Sequence, residues 1–138
     1  MSLEQLRVVV LMYRRDGRPL EDSALASIRT VDPERVRFNG GRTTASVELS
    51  AVRASDFSND EAGSVALEAA MEQSFVTAAE WLEGRAPASF DELRAAGYMI
   101  DIWLFPQISD DQFEFNAPPR FLAACGARGL ALKLITND

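Results

Sequence analysis

The run Tyr98–Phe105, Y-M-I-D-I-W-L-F, constrains this chain more than any other stretch. Seven of its eight residues are apolar, Gly97 leads into it and Pro106 follows it. A half-exposed strand alternates apolar with polar residues; a run that does not alternate predicts an internal strand covered on both faces. The segment Glu4–Tyr13, with L-R-V-V-V-L-M-Y, predicts a second such strand. A fold built on these two must place them at the centre of a sheet.

The stretches between them supply the rest of a layered domain. Pro19 and the spacing of Leu20, Ala24, Leu25 and Ile28 predict a helix over Leu20–Arg29, ended by Asp32-Pro33. Arg35–Phe38 and Arg42–Arg53 read as two strands joined by Asn39-Gly40-Gly41, a turn whose residues accept positive φ. In the second arm Val47, Leu49 and Ala51 alternate with Ser46, Glu48 and Ser50, which predicts one buried and one wet face.

Ser58-Asn59-Asp60-Glu61 has the spacing of a capping box. The helix it opens, Asp60–Glu83, presents Leu67, Met71, Phe75, Ala78 and Leu82 on one face, with Glu72, Val76, Glu80 and Glu83 opposite. A short helix begins at Ser89-Phe90-Asp91-Glu92 and ends at Gly97. Beyond Phe105 come a half-exposed strand at Phe113–Phe115 and a helix capped by Asn116, with Phe121, Leu122 and Cys125 on one face. A final strand has Leu130, Leu132 and Leu134 in line. The expected class is α+β: a single domain over residues 1–138, with a mainly antiparallel sheet of about five to six strands. One long and about three short helices pack on it.

Composition narrows the function classes. The net charge is −7 over 138 residues, divided as +2 over residues 1–54 and −9 over residues 55–138. Such a balance repels a phosphate backbone and an anionic bilayer, so neither a nucleic acid nor a membrane is an expected partner. A single cysteine excludes an internal disulfide and fits a reducing, cytoplasmic setting. The apolar run Val8–Tyr13 is too short to span a bilayer and lacks the flanks of a signal peptide. Thirteen arginines against one lysine is the codon bias of a GC-rich bacterial genome.

The chain has no histidine. That removes the commonest general base and metal ligand, and with it Ser-His and Cys-His nucleophiles and the usual zinc sites. No phosphate-cradling glycine loop is present. Neither a metal nor a cofactor is therefore expected, and no residue is assigned as catalytic. The residues able to carry chemistry are carboxylates and arginines. Asp101 is the one charge in the central apolar run, on the same face as Trp103, and with Phe113 and Glu114 it is a candidate ligand-binding group. Asp110 and Asp111 with Glu114 lack the spaced oxygen ligands of a dedicated cation loop. Arg35, Arg37 and Arg42 flank the Asn-Gly-Gly turn as candidate anion ligands. Cys125 falls on an apolar helix face, where a thiol acts as a small hydrophobe.

The order F-D-E-L-R-A-A-G, apolar strand, F-E-F-N-A-P-P-R-F-L-A-A-C-G-A and L-A-L-K-L-I-T-N-D resembles the bacterial domain-of-unknown-function family 4279. The opening strand, Asp32-Pro33 and Gly40-Gly41 resemble that family's first half. The resemblance implies the same α+β class and carries over no catalytic residue.

Two functional readings follow. The preferred one is a non-catalytic binding or interaction module, accessory or immunity-like, whose acidic surface meets a basic protein partner. Strand edges also invite pairing with a second copy, so a homodimer is expected. The alternative is a carboxylate-dependent enzyme, or a small-ligand-binding protein, with a pocket around Asp101.

Overall fold

The computed structural model describes residues 3–21, 35–108 and 115–136. Its five strands are β1 (Leu3–Arg14), β2 (Val36–Phe38), β3 (Thr44–Arg53), β4 (Tyr98–Ile108) and β5 (Leu132–Leu134). The helices are α1 (Glu61–Glu83), α2 (Pro87–Ala95) and α3 (Pro119–Ala127). The sheet runs β2-β3-β1-β4-β5, antiparallel except for the parallel pair β4–β5. The two uninterrupted apolar segments thus pair with each other at the centre, from Leu3↔Ile108 to Arg14↔Tyr98. The helix expected over Leu20–Arg29 and the strand expected at Phe113–Phe115 lie largely outside the described residues.

Connectivity explains why the helices share one face. Strands β3 and β4 both run antiparallel to β1 and hence parallel to each other, as β4 and β5 do. The connections β3-to-β4 and β4-to-β5 step across the sheet in the same sense, and right-handed crossovers then carry their helices over the same side. That side is the core. Leu6, Val8, Val10 and Met12 of β1 and Tyr98, Ile100, Ile102 and Leu104 of β4 meet Leu67, Met71, Phe75, Ala78 and Leu82 of α1. Phe90 and Leu93 of α2 and Phe121 and Cys125 of α3 join them. Each large apolar side chain so enclosed contributes roughly 2 kcal/mol. At the centre, Phe75 meets Phe121 edge-on at 5.0 Å and Phe115 in a stack at 6.0 Å.

The opposite face of β1 and β4 departs from expectation. Among the described residues no helix covers it. Met99, Trp103, Phe105, Leu11 and Tyr13 are half-buried there by one another and by charged neighbours rather than by a second layer. Their apolar character arises from the sheet's own lateral packing.

Several local expectations are corrected. Strand β3 holds a bulge: Val8 pairs with Ser50 but Val9 with Glu48, so Leu49 is an extra residue. Side-chain parity switches there, which buries Val52 and exposes Ala51, opposite to simple alternation. Strand β4 continues through Pro106 to Ile108. Pro106 lies past Leu104, the last residue of β4 that pairs with β5, so its missing N–H interrupts no ladder on that side. In the hairpin the left-handed residue is Arg42 (φ 54), not a glycine of the turn, and Asn39 Oδ1 accepts the Thr44 N–H at 3.0 Å. Asn116 does not cap α3, which starts after Pro118 without a side-chain cap, and Leu122 is exposed. Leu130 is buried, whereas Leu132 and Leu134 are 42% and 54% exposed because the sheet's described part ends at β5.

The cap of α1 is Asp60 rather than Ser58. Its Oδ1 accepts the Gly63 N–H at 2.8 Å and the Ser58 hydroxyl at 2.6 Å. These bonds, the hydroxyl first, hold the Asp60 carboxyl below its ordinary range. At the far end, Glu83 accepts both Nε and Nη2 of Arg120, at 3.1 and 2.6 Å. The buried Arg128 donates from Nε and Nη2 to the Arg85 carbonyl, at 3.1 and 2.9 Å, and from Nη1 to Ala124 O at 3.1 Å. One guanidinium thereby joins the chain just past α1 to the last turn of α3.

Gly63 sits inside the capped first turn with its α-carbon against the loop. A Cβ there would lie 1.8 Å from the Ser58 carbonyl oxygen, a backbone atom. Alanine normally stabilises a helix by about 1 kcal/mol over glycine. Here the collision outweighs that gain, and Gly63→Ala is expected to destabilise the fold by roughly 2 kcal/mol, measured by urea denaturation. A stabilised variant would show that the loop before α1 yields freely.

Candidate functional site

Charged residues interrupt the apolar strands at three places, Arg7 in β1, Asp101 in β4 and Lys133 in β5, and the register brings all three to the uncovered face. Arg7 pairs with Phe105, Leu11 with Asp101, and Trp103 with Lys133. A continuous row results. Asp101 Oδ2 lies 3.4 Å from Lys133 Nζ. That ammonium stands 5.0 Å from the Trp103 ring centre and 5.9 Å from that of Tyr13. Trp103 stacks on Phe105 at 5.9 Å, Arg7 lies 5.5 Å over Phe105, and Arg7 Nε donates to Glu48 Oε1 at 2.7 Å. Cation, ring, ring and cation thus follow one another across β5, β4 and β1, with the Asp101 carboxylate beside one cation and Glu48 of β3 beside the other.

Asp101 has a buried side chain, 6% exposed, whereas Lys133 is 42% exposed. The carboxylate is therefore neutralised from the wet side by the only lysine of the chain. The Trp103 indole Nε1 is buried and has no hydrogen-bond partner among the described residues. Phe113 and Glu114, grouped with these two in the sequence, lie outside the described residues. A concavity of about 560 Å³ opens on this face beside the row. It is lined by Arg7, Glu48, Phe105, Arg53, Gln107 and neighbouring β1 side chains, and Asp101 is not part of its wall.

The candidate anion ligands are engaged separately. Arg35 Nη2 donates to the carbonyls of Glu48 and Leu49, at 2.6 and 3.4 Å, and so braces the β3 bulge. Arg37 Nη1 donates to Val36 O at 3.3 Å, and the Arg42 guanidinium lies 4.4 Å over the Phe38 ring. Among the described residues no group of three His, Cys, Asp or Glu side chains is placed to hold a metal ion, and no helix is long and apolar enough to cross a membrane. No protein-family model, curated protein or solved structure matches the chain.

Arg7, Arg53 and Lys133 were not singled out from sequence. The signal that found Asp101, a charge inside an apolar strand, is equally present at Arg7 and Lys133. Arg53, at the polar end of its strand, carries no such mark.

Cys125 is buried on the core side of α3. Burial, the largest influence, pushes its thiol up to about 11 despite the nearby Arg128 charge.

Two outcomes follow. Lys133→Met leaves the Asp101 carboxylate enclosed without its counter-charge and is expected to cost roughly 1–3 kcal/mol, with part of the loss recovered in Asp101→Asn/Lys133→Met. A single variant as stable as the parent would mean that the pair does not hold Asp101 in place. Iodoacetamide at pH 8 should alkylate native Cys125 far more slowly than the urea-unfolded chain. A thiol with its midpoint near 11 is ionised to about one part in a thousand at that pH.

Proposed function

We propose that the chain is a non-catalytic interaction module that meets a basic protein partner through the outer surface of α1. What carries this reading is the charge of that helix. Five glutamates and no lysine or arginine lie on it, and Glu83 at its far end is paired with Arg120, which leaves the charge of the first three turns uncompensated. Glu61, Glu68 and Glu72 are exposed around Val65, which is itself 63% exposed. An unneutralised surface of this kind steers a cationic partner at long range, while the exposed valine offers a dry contact at its centre. The edge of β5, with Leu132 and Leu134 exposed, suits pairing with a second copy as a homodimer.

A carboxylate-driven enzyme centred on Asp101 draws less support. General acid–base work by two carboxylates needs environments that push their affinities for protons apart beside a substrate cavity. Asp101 is instead paired with Lys133 and stands away from the concavity. The absence of matching families leaves no activity to transfer from relatives.

The test is capture of partners from the native cell by the tagged full-length chain at about 0.1 M and about 1 M salt, where the Debye lengths are about 10 and 3 Å. A basic protein retained at low salt, released at high salt and lost with Glu68→Arg/Glu72→Arg is the expected result. Retention of the same partner by that variant would remove α1 as the docking surface.

A further inference from the structure

The concavity on the uncovered sheet face has a composition that points to a ligand of its own. Its mainly polar wall combines Val9, Leu11 and Phe105 with two guanidiniums, Arg7 and Arg53, and one carboxylate, Glu48. Gln5, Arg53 and Gln107 also line an adjoining hollow of about 410 Å³, so the two spaces meet along a shared rim. Arg53 is exposed and, among the described residues, its side chain makes no hydrogen bond or ion pair. Arg7 is only partly used. Its Nε binds Glu48 and its plane lies on Phe105, while its Nη atoms have no hydrogen-bond acceptor among the described residues.

We propose that this groove across β3, β1 and β4 is a binding site for a small organic monocarboxylate with an apolar body. Within the larger space two guanidiniums stand against one carboxylate, a single surplus positive charge that one anionic group satisfies, while Glu4 lines only the adjoining hollow. A guanidinium fork matches the two oxygens of a carboxylate. Val9, Leu11 and Phe105 provide apolar surface beside the guanidiniums for the body of the ligand. A volume of about 560 Å³ accommodates a small molecule. A polyanion is disfavoured, because Glu48 stands on the rim and the chain carries a net charge of −7. This site is separate from the acidic outer surface of α1, so partner capture and ligand binding stand or fall independently.

The test is an amide NMR titration of the full chain with sodium phenylacetate, sodium acetate and the neutral 2-phenylacetamide. Phenylacetate is expected to saturate in the millimolar range, shifting the amides of Arg7, Arg53 and Gln107, with acetate and the amide much weaker. Arg53→Ala, at an exposed position without side-chain partners, should keep the native spectrum and weaken phenylacetate about tenfold, the loss of one charge-assisted contact. Equal binding of the amide would overturn the anionic requirement, and equal binding of acetate would overturn the apolar one. Failure to saturate with any probe, or undiminished binding by Arg53→Ala, would overturn the site.

Discussion

The pairing of β1 with β4 is the interaction on which the rest of the structure depends. Both strands are long, both are mainly apolar, with an unbroken apolar run from Val8 to Tyr13 in β1, and they match along their whole length. Once they are joined antiparallel, β3 on the free side of β1 is parallel to β4, and the chain can reach β4 from β3 only by crossing over β1. Handedness sends that crossover, carrying α1 and α2, to the same side as the α3 crossover into β5. One face of the sheet therefore receives the helices through chain geometry, whatever residues stand on the other.

The consequence for the other face is chemical. Met99, Trp103 and Phe105 have the composition of a buried surface, yet among the described residues no layer lies above them and neighbouring side chains shield them laterally. Lys133 spreads over Trp103, Arg7 lies on Phe105, and Arg15 Nε approaches the Met99 sulfur at 3.1 Å. Long cationic side chains cover apolar rings with their stems while keeping their charge in water. Beside these rings the face keeps a hollow, between β3 and β4, whose wall mixes apolar and polar groups.

Much of this was legible in the sequence, and the failures have common physical causes. The internal strands followed from apolar runs that do not alternate, and the long helix with its buried stripe from Leu67 to Leu82 followed from periodicity, because burial on one side leaves a period that no tertiary contact erases. Periodicity misled where two different causes give the same pattern. A run such as Tyr98–Phe105 is apolar on both sides whether a second layer or flanking side chains shield it. The bulge at Leu49 cannot be read from alternation, since one inserted residue reverses the expected faces only downstream, at Ala51 and Val52. Capping failed similarly: Ser58 and Asp60 are both good caps by type, and only the geometry of the turn decides that one serves the helix while the other binds its partner's carboxylate. At the site, Asp101 was conspicuous as a lone acid in an apolar strand. Its partner Lys133 was 32 residues away and needed the parallel β4–β5 register to bring it near.

The buried Arg128 has an implication for how the molecule meets acid. Its acceptors are the carbonyls of Arg85 and Ala124, which do not titrate. The carboxyls of Asp60 and Glu83 are both held below their ordinary values, by Ser58 with Gly63 and by Arg120 respectively. A depressed carboxyl contributes stability that is complete above its unfolded value, near 4, and is lost as pH falls through its folded value. Acidification therefore releases the entry of α1 and its clasp to α3 while leaving the carbonyl-bound joint behind them intact. The helix layer would loosen as a door does on its hinge, with the free edge at the acidic cap and the pin at a guanidinium that binds only backbone.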